Sequence, residues 1–262
     1  MITHPVDIGP WQLALGLVFI LFAQGLSLAL RLGLVRDLAL GTLRTFAQLF
    51  LMGYVLQLVF DLNTLSVTIG VFCVMLVTAV LTVRGRVRER TVPFALPLGL
   101  SMFASYFLVS LLVTSVVVQA SPWWNPVYFI PLSGMVVGNS MPALAVALER
   151  LFSSLRTRRN EVEMMLSLGA DYREASADIT REAVKAGMIP SITSMMGVGL
   201  VFIPGMMTGQ ILAGANPLLA IRYQIVVMLM LVASTGVGSI LAVLLVRRRC
   251  FGKGQQLLLP PL

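Results

Sequence analysis

The side chains that usually do chemistry are few in this sequence, and their positions say more than their number. There is one histidine, His4, and two cysteines, Cys73 and Cys250. No His/Cys cluster has metal-ligand spacing, and no phosphate-binding G-x-x-x-x-G-K-[ST], H-E-x-x-H or G-x-S-x-G occurs. An enzyme is therefore not expected. Neutral polar and helix-breaking residues are instead concentrated in two apolar stretches. One carries Pro131, Gly134, Gly138, Asn139, Ser140 and Pro142. The other carries Pro190, Pro204, Gly205, Met206, Met207, Thr208, Gly209 and Gln210. Proline removes a backbone donor and clashes with the preceding turn. In lipid the freed groups need other partners, so broken helices sit against protein or a watery path. These residues are expected to break both helices and to line a translocation path. The pairs Gly134/Gly138 and Gly205/Gly209 also fit plain close packing. The methionines fit packing as well as soft-metal ligation, so no metal ligand is marked.

The elements that hold these residues follow from composition. Of 262 residues 58% are hydrophobic and only 11% charged, against about 25% charged in soluble proteins. A soluble or disordered chain is excluded. Seven stretches approach the roughly 20 apolar residues needed to cross a bilayer. They lie near 10–30, 43–60, 65–83, 92–118, 127–148, 188–213 and 222–246. Runs without period-2 alternation are read as helices rather than barrel strands. The expected fold is an all-α polytopic membrane protein, with 1–262 as a single transmembrane domain.

The net charge of +8 is sorted by the spans. Eighteen of the nineteen Lys and Arg fall on one side, leaving Arg222 alone on the other. The positive-inside rule then puts the N-terminus outside and the C-terminus in the cytoplasm. It also removes nucleic acid as the explanation of the charge. Trp123 and Trp124 read as interfacial anchors on the outer face.

Charge is densest over 149–187, where fourteen of the thirty charged residues lie. The pattern predicts a cytoplasmic helix–turn–helix. Asn160 with Glu163 and Asp171 with Glu174 read as N-cap pairs, with Gly169 and Gly187 as glycines just past helix ends. An amphipathic connector lying on the membrane is one reading. Docking of a cytoplasmic partner is the sharper one, because a lipid-surface helix would carry few acids. Glu163, Leu168, Gly169, Ala170, Asp171, Tyr172 and Glu174 are the expected coupling residues. Acids are nearly missing from the spans, with only Asp61 and Glu149 at span ends, which disfavours proton-coupled transport. Energy for uphill movement would then come from a partner that hydrolyses ATP. A non-transporting scaffold or sensor that recruits a cytoplasmic protein would use the same segment.

Several blocks carry a resemblance. They are Pro131-Leu-Ser-Gly-Met-Val-Val-Gly-Asn-Ser-Met-Pro-Ala143, Leu168-Gly-Ala170, Ala186-Gly-Met-Ile-Pro190, Pro204-Gly-Met-Met-Thr-Gly-Gln-Ile-Leu-Ala-Gly214 and Ile221-Arg-Tyr-Gln-Ile-Val-Val-Met228. Over essentially the whole chain the sequence resembles the FetB-type permeases, the membrane subunits of bacterial iron-export ABC transporters, with plant relatives linked to aluminium tolerance. The resemblance implies two permeases and two copies of a separate ATPase in the bacterial inner membrane. It also implies a role in iron homeostasis and oxidative-stress resistance. ATP and Mg²⁺ would sit on the ATPase, and no cofactor on this subunit. The stretch from Glu163 to Pro190 also loosely resembles the cytoplasmic loop of ABC importers, but Pro190 stands 21 residues after Gly169 instead of 13.

Overall fold

A computed structural model describes residues 9–260, which form an all-helical chain. The helices are α1 (Pro10–Ala29), α2 (Val35–Leu62), α3 (Leu65–Arg86), α4 (Ala95–Leu112, extended by a π-turn over Val113–Val117) and α5 (Pro126–Thr157). Then follow α6 (Arg159–Ser167), α7 (Tyr172–Ala175), α8 (Ala177–Gly197), α9 (Gly205–Leu212) and α10 (Pro217–Arg249). Among the described residues six helices are long and apolar enough to span a membrane: α1, α2, α3, α4 with its π-turn, α5 and α10.

The seventh expected span, 188–213, is not one helix. Its first part is the end of α8 and its last part is α9, with an irregular link over 198–204. Val198 turns extended, Gly199 sits at φ +85° where a side chain would be strained, and Pro204 caps the new helix. The fifth span departs from expectation the other way. α5 runs unbroken through Pro131 and Pro142. It is the central helix, packed against α3, α4, α8 and α10, and tertiary packing holds a helix that proline alone would interrupt. Its buried face reads Leu144, Leu148, Leu151, Phe152 and Leu155, the spacing of one helical stripe.

Lipid is as apolar as leucine, so packing between spans rests on close approach and on polar contacts. The expected glycine pairs do not provide the approach: no atom of another element lies within 4 Å of a Cβ built at Gly138, Gly205 or Gly209, and Gly134 meets only Met75. Gly187 does. It lies inside α8 rather than past its end, and a Cβ there would stand 2.8 Å from the Ala143 carbonyl and from Ala147 Cβ. Gly238 of α10 lies under the Tyr106 ring in the same way, 2.8 Å from Cε1. The Ser140 and Thr235 hydroxyls join α5 to α10 at 3.2 Å, and Ser191 of α8 donates to Thr235 at 3.4 Å.

α1 and α2 stand apart from this bundle. Each buries a single residue, Ser27 and Val59. α2 begins earlier than the apolar run predicts, at Val35, taking in Arg36 and Asp37.

Candidate functional site

α10 is 33 residues long, about 50 Å at 1.5 Å per residue, and exceeds the roughly 30 Å hydrocarbon core. It therefore reaches both sites described below. In its first half, a cavity of about 650 Å³ opens between α5, α8, α9 and α10. Of the expected path residues, Asn139, Pro142, Pro190, Pro204, Gly205 and Met206 line it. Ser140 lies behind the wall, fully buried and bonded to Thr235. Pro131, Gly134, Gly138, Met207, Thr208, Gly209 and Gln210 do not line it. Met135, Ser191, Ser194, Phe202, Gln224 and Met228 do, and were not among the expected path residues. Gln224 had a readable signal, being the single amide side chain within 222–246. It is buried, and its Oε1 has no partner among the described residues. Asn139 donates through Nδ2 to the Met135 carbonyl at 3.0 Å. The lining thus offers amides, hydroxyls and thioethers, and no charged side chain.

The other end of α10 carries Arg247, Arg248 and Arg249. Here the chain forms the expected helix–turn–helix, with two changes. α6 begins at Arg159 after Arg158, so Asn160 is not its N-cap, and α5 continues to Thr157 instead of ending near 148. Gly169 follows α6 at φ +96°, the conformation that glycine suits. Asp171 then caps α7. Its Oδ1 accepts from the Arg173 and Glu174 N–H groups at 2.8 and 2.7 Å, and the Glu174 carboxylate accepts from Asp171 N–H at 3.0 Å. Glu163 pairs with Arg159 at 2.7 Å. Leu168, at 80% exposure, and Met164 face outward, so the turn presents apolar side chains away from its own packing. Ala170 lies in the tight turn, where its N–H donates to the Met165 carbonyl at 3.1 Å.

What holds this turn lies far away in the chain and follows no local pattern. The tail after α10 folds back as a small hairpin, with Leu258 N–H on the Cys250 carbonyl at 2.8 Å and Gly252 N–H on the Gln256 carbonyl at 2.9 Å. Leu257 and Leu259 are buried beneath it. The Arg159 guanidinium donates to the Leu259 carbonyl at 2.6 Å, and the Tyr172 N–H donates to Gln255 Oε1 at 2.9 Å. The Tyr172 ring lies 5.5 Å from Phe251 and 5.7 Å from the Arg247 guanidinium, which also donates to Thr180 Oγ1 at 3.2 Å. A notch of about 570 Å³ remains between the tail and the α6 turn, lined by Glu163, Gly169, Ala170, Gln255 and Gln256. Burial pushes the Cys250 thiol up to about 12, which leaves it unreactive.

Glu89, in the link between α3 and α4, is buried at this same end and pairs with Arg156 of α5. Burial alone would raise its carboxyl. The Thr91 N–H at 2.6 Å and the Arg156 guanidinium more than offset that, and hold it below the usual value. Arg88 N–H donates to Glu149 at 3.0 Å, so the whole link is tied to α5.

A family described as "Uncharacterised protein family (UPF0014)" matches residues 10–251. The UPF0014 membrane protein YjkA of Bacillus subtilis is 34% identical over 248 residues, 94% of this chain and 97% of that one. The Probable iron export permease protein FetB of Escherichia coli is 30% identical over 251 residues, covering 96% and 95% of the two chains. Protein ALUMINUM SENSITIVE 3 of Arabidopsis thaliana is 36% identical over 245 residues, covering 93% and 88%. No solved structure matches.

Proposed function

The chain belongs to the UPF0014 family of multi-pass membrane proteins, and from that premise we propose that it is the membrane-spanning permease subunit of an ABC transporter that exports iron. The arginine-rich end is cytoplasmic and receives a separate ATPase, which binds ATP and Mg²⁺. Two permeases and two ATPases form the pump, set in a bacterial inner membrane. Iron as cargo is supported by the name of the Escherichia coli relative. Catalysis by this subunit is not part of the reading.

The observation that carries the proposal is α10 itself. One rigid helix joins the cavity wall, at Gln224 and Met228, to the docking turn, at Arg247 against Tyr172 and Thr180. A push on the turn therefore reaches the cavity without crossing a flexible joint. The cavity lining offers no carboxylate or imidazole to relay protons, which supports energy supplied by a partner ATPase over proton coupling.

Proteoliposomes holding this protein, with a candidate ABC ATPase and ATP on the outer face, test the reading. ATP-dependent accumulation of iron in the lumen is expected, because the cytoplasmic face then points outward, and Gly169→Pro should abolish it while the protein still inserts. ATP hydrolysis without movement of iron in any form offered would instead support a scaffold that recruits a cytoplasmic protein.

A further inference from the structure

The cavity is electrostatically one-sided. On one wall α8 ends, and on another α9 begins. The end of α8 is closed: its Ser194 and Gly197 carbonyls accept from Val198 and Val201 N–H at 3.1 and 2.8 Å. The start of α9 is open. Pro204, Gly205 and Met206 line the cavity, and no side chain caps the helix. The first backbone bond into α9 is Thr208 N–H to the Pro204 carbonyl at 3.0 Å. Among the described residues, the N–H groups of Gly205, Met206 and Met207 have no backbone acceptor. A helix start with free N–H groups carries partial positive charge and favours anions.

A second, independent observation points to a ligand at the same place. Gln224 is only 6% exposed, lines the cavity, and leaves Oε1 unpartnered among the described residues. Among the described residues the Gln224 NH₂ makes no hydrogen bond, while Oε1 is sealed from the cavity, so the NH₂ is the group that can donate to whatever enters. Leaving a buried amide without partners destabilises the empty protein, and a ligand that accepts from its NH₂ offsets part of that.

The lining also says what does not fit. A bare divalent or trivalent hard cation wants carboxylates, and the cavity has none. It would also face the positive end of α9. We propose that the cavity recognises an oxyanion, a carboxylate or phosphate oxygen, held by the α9 N–H groups and the Gln224 amide. Its role as a cargo site rests on the permease reading, and in that reading a metal leaves as an anionic chelate rather than as a bare ion.

The test uses the purified full chain in neutral detergent, without ATPase, titrated by calorimetry. The probes are citrate, iron(III)–citrate, inorganic phosphate, ferrous ion alone and phosphatidylglycerol. Citrate or phosphate is expected to bind and ferrous ion alone is not. Gly205→Pro deletes one donor yet suits the first position of a helix, and Pro204 at φ −65°, ψ 146° already has the conformation required before a proline. It should weaken the anion roughly tenfold. Gln224→Leu should weaken it by a similar factor, and Gln224→Glu should abolish it by charge repulsion. Ferrous ion binding alone, and more tightly in Gln224→Glu, would overturn the proposal. So would anion binding unchanged in all three variants. Binding of phosphatidylglycerol but of no soluble anion would assign the same donors to a lipid headgroup and overturn the cargo role. Intact anion binding without ATP-driven flux would sink the permease reading and leave the site standing. Flux of bare ferrous ion without anion binding would do the reverse.

Discussion

The two ends of α10 manage polarity in opposite ways. At the cavity, polar groups are neutral and partly unpaired: among the described residues Gln224 Oε1 has no partner, and the start of α9 has no cap. At the arginine-rich end, charges are dense, and the buried and helix-borne carboxylates are paired. Arg150 meets Glu182 at 2.9 Å, Arg158 meets Glu161 at 2.6 Å, Arg159 meets Glu163 at 2.7 Å, and Glu89 meets Arg156. The contrast separates an end held by ion pairs from an end held by apolar packing and neutral hydrogen bonds.

The largest expected effect is at the joint between the two regions. Gly187→Leu forces a side chain into the Ala143 carbonyl and Ala147 Cβ, both at 2.8 Å from a Cβ there, and separates α8 from α5. Loss of folded protein in fluorescence-detected size exclusion is expected. A well-folded Gly187→Leu variant would mean that the cavity and the turn between α6 and α7 do not share a rigid frame.

Glu89→Gln comes next. It leaves Arg156 facing a neutral amide in a buried site, and removing one member of a buried pair costs about 3 kcal/mol. Arg156 is partly exposed, so a somewhat smaller drop in thermal stability is expected. The same group predicts a pH dependence. Its folded-state pKa lies below the ordinary 4.5, so its stabilisation is complete above that value and is lost as pH falls through the lower, folded one. Thermal scans in detergent should therefore show acid loosening below about pH 4.5 in the wild type and less of it in Glu89→Gln.

Much of the membrane half was legible in the sequence, because apolar runs of span length and one-sided arginines leave few alternatives. The Asp171–Glu174 box and Gly169 were legible for a local reason: each acts within four residues of itself. What was not legible is what depends on distant neighbours. α8 runs through Pro190 as α5 runs through Pro131 and Pro142, although all three were expected to break their helices, and the seventh stretch breaks instead over 198–204, where Val198 turns extended and Pro204 opens α9. The glycine that matters for helix approach, Gly187, sits outside the G-x-x-x-G pairs, because its partners are an alanine and a carbonyl on another helix. The tail against Tyr172 spans 83 positions and follows from no periodicity.

A smaller effect is expected from Tyr172→Ala. It removes the ring that Phe251 and Arg247 pack on while leaving the Asp171 cap, so the tail should loosen and the turn survive. Faster deuterium uptake over 250–259, with little change over 172–187, checks this. ATP hydrolysis should uncouple partly from transport. The smallest effect belongs to Arg181→Ala. Its pair with Asp178 is exposed on both sides, at 74% and 69%, and such pairs contribute almost nothing. Stability and flux should match the wild type. A clear loss of flux there would mark Arg181 as an ATPase contact.

The tail hairpin also has a consequence for the order in which the protein is made. Residues 159–175 leave the ribosome well before 250–259, and the whole of α10 is synthesised between them. Until α10 has been threaded into the bilayer, the tail cannot cover Tyr172 or take the Arg159 guanidinium. The turn between α6 and α7 is therefore completed only after the last span is in place. A half-inserted chain presents an unfinished surface there, and the finished one belongs to molecules whose translation has run through the tail and whose last span is inserted.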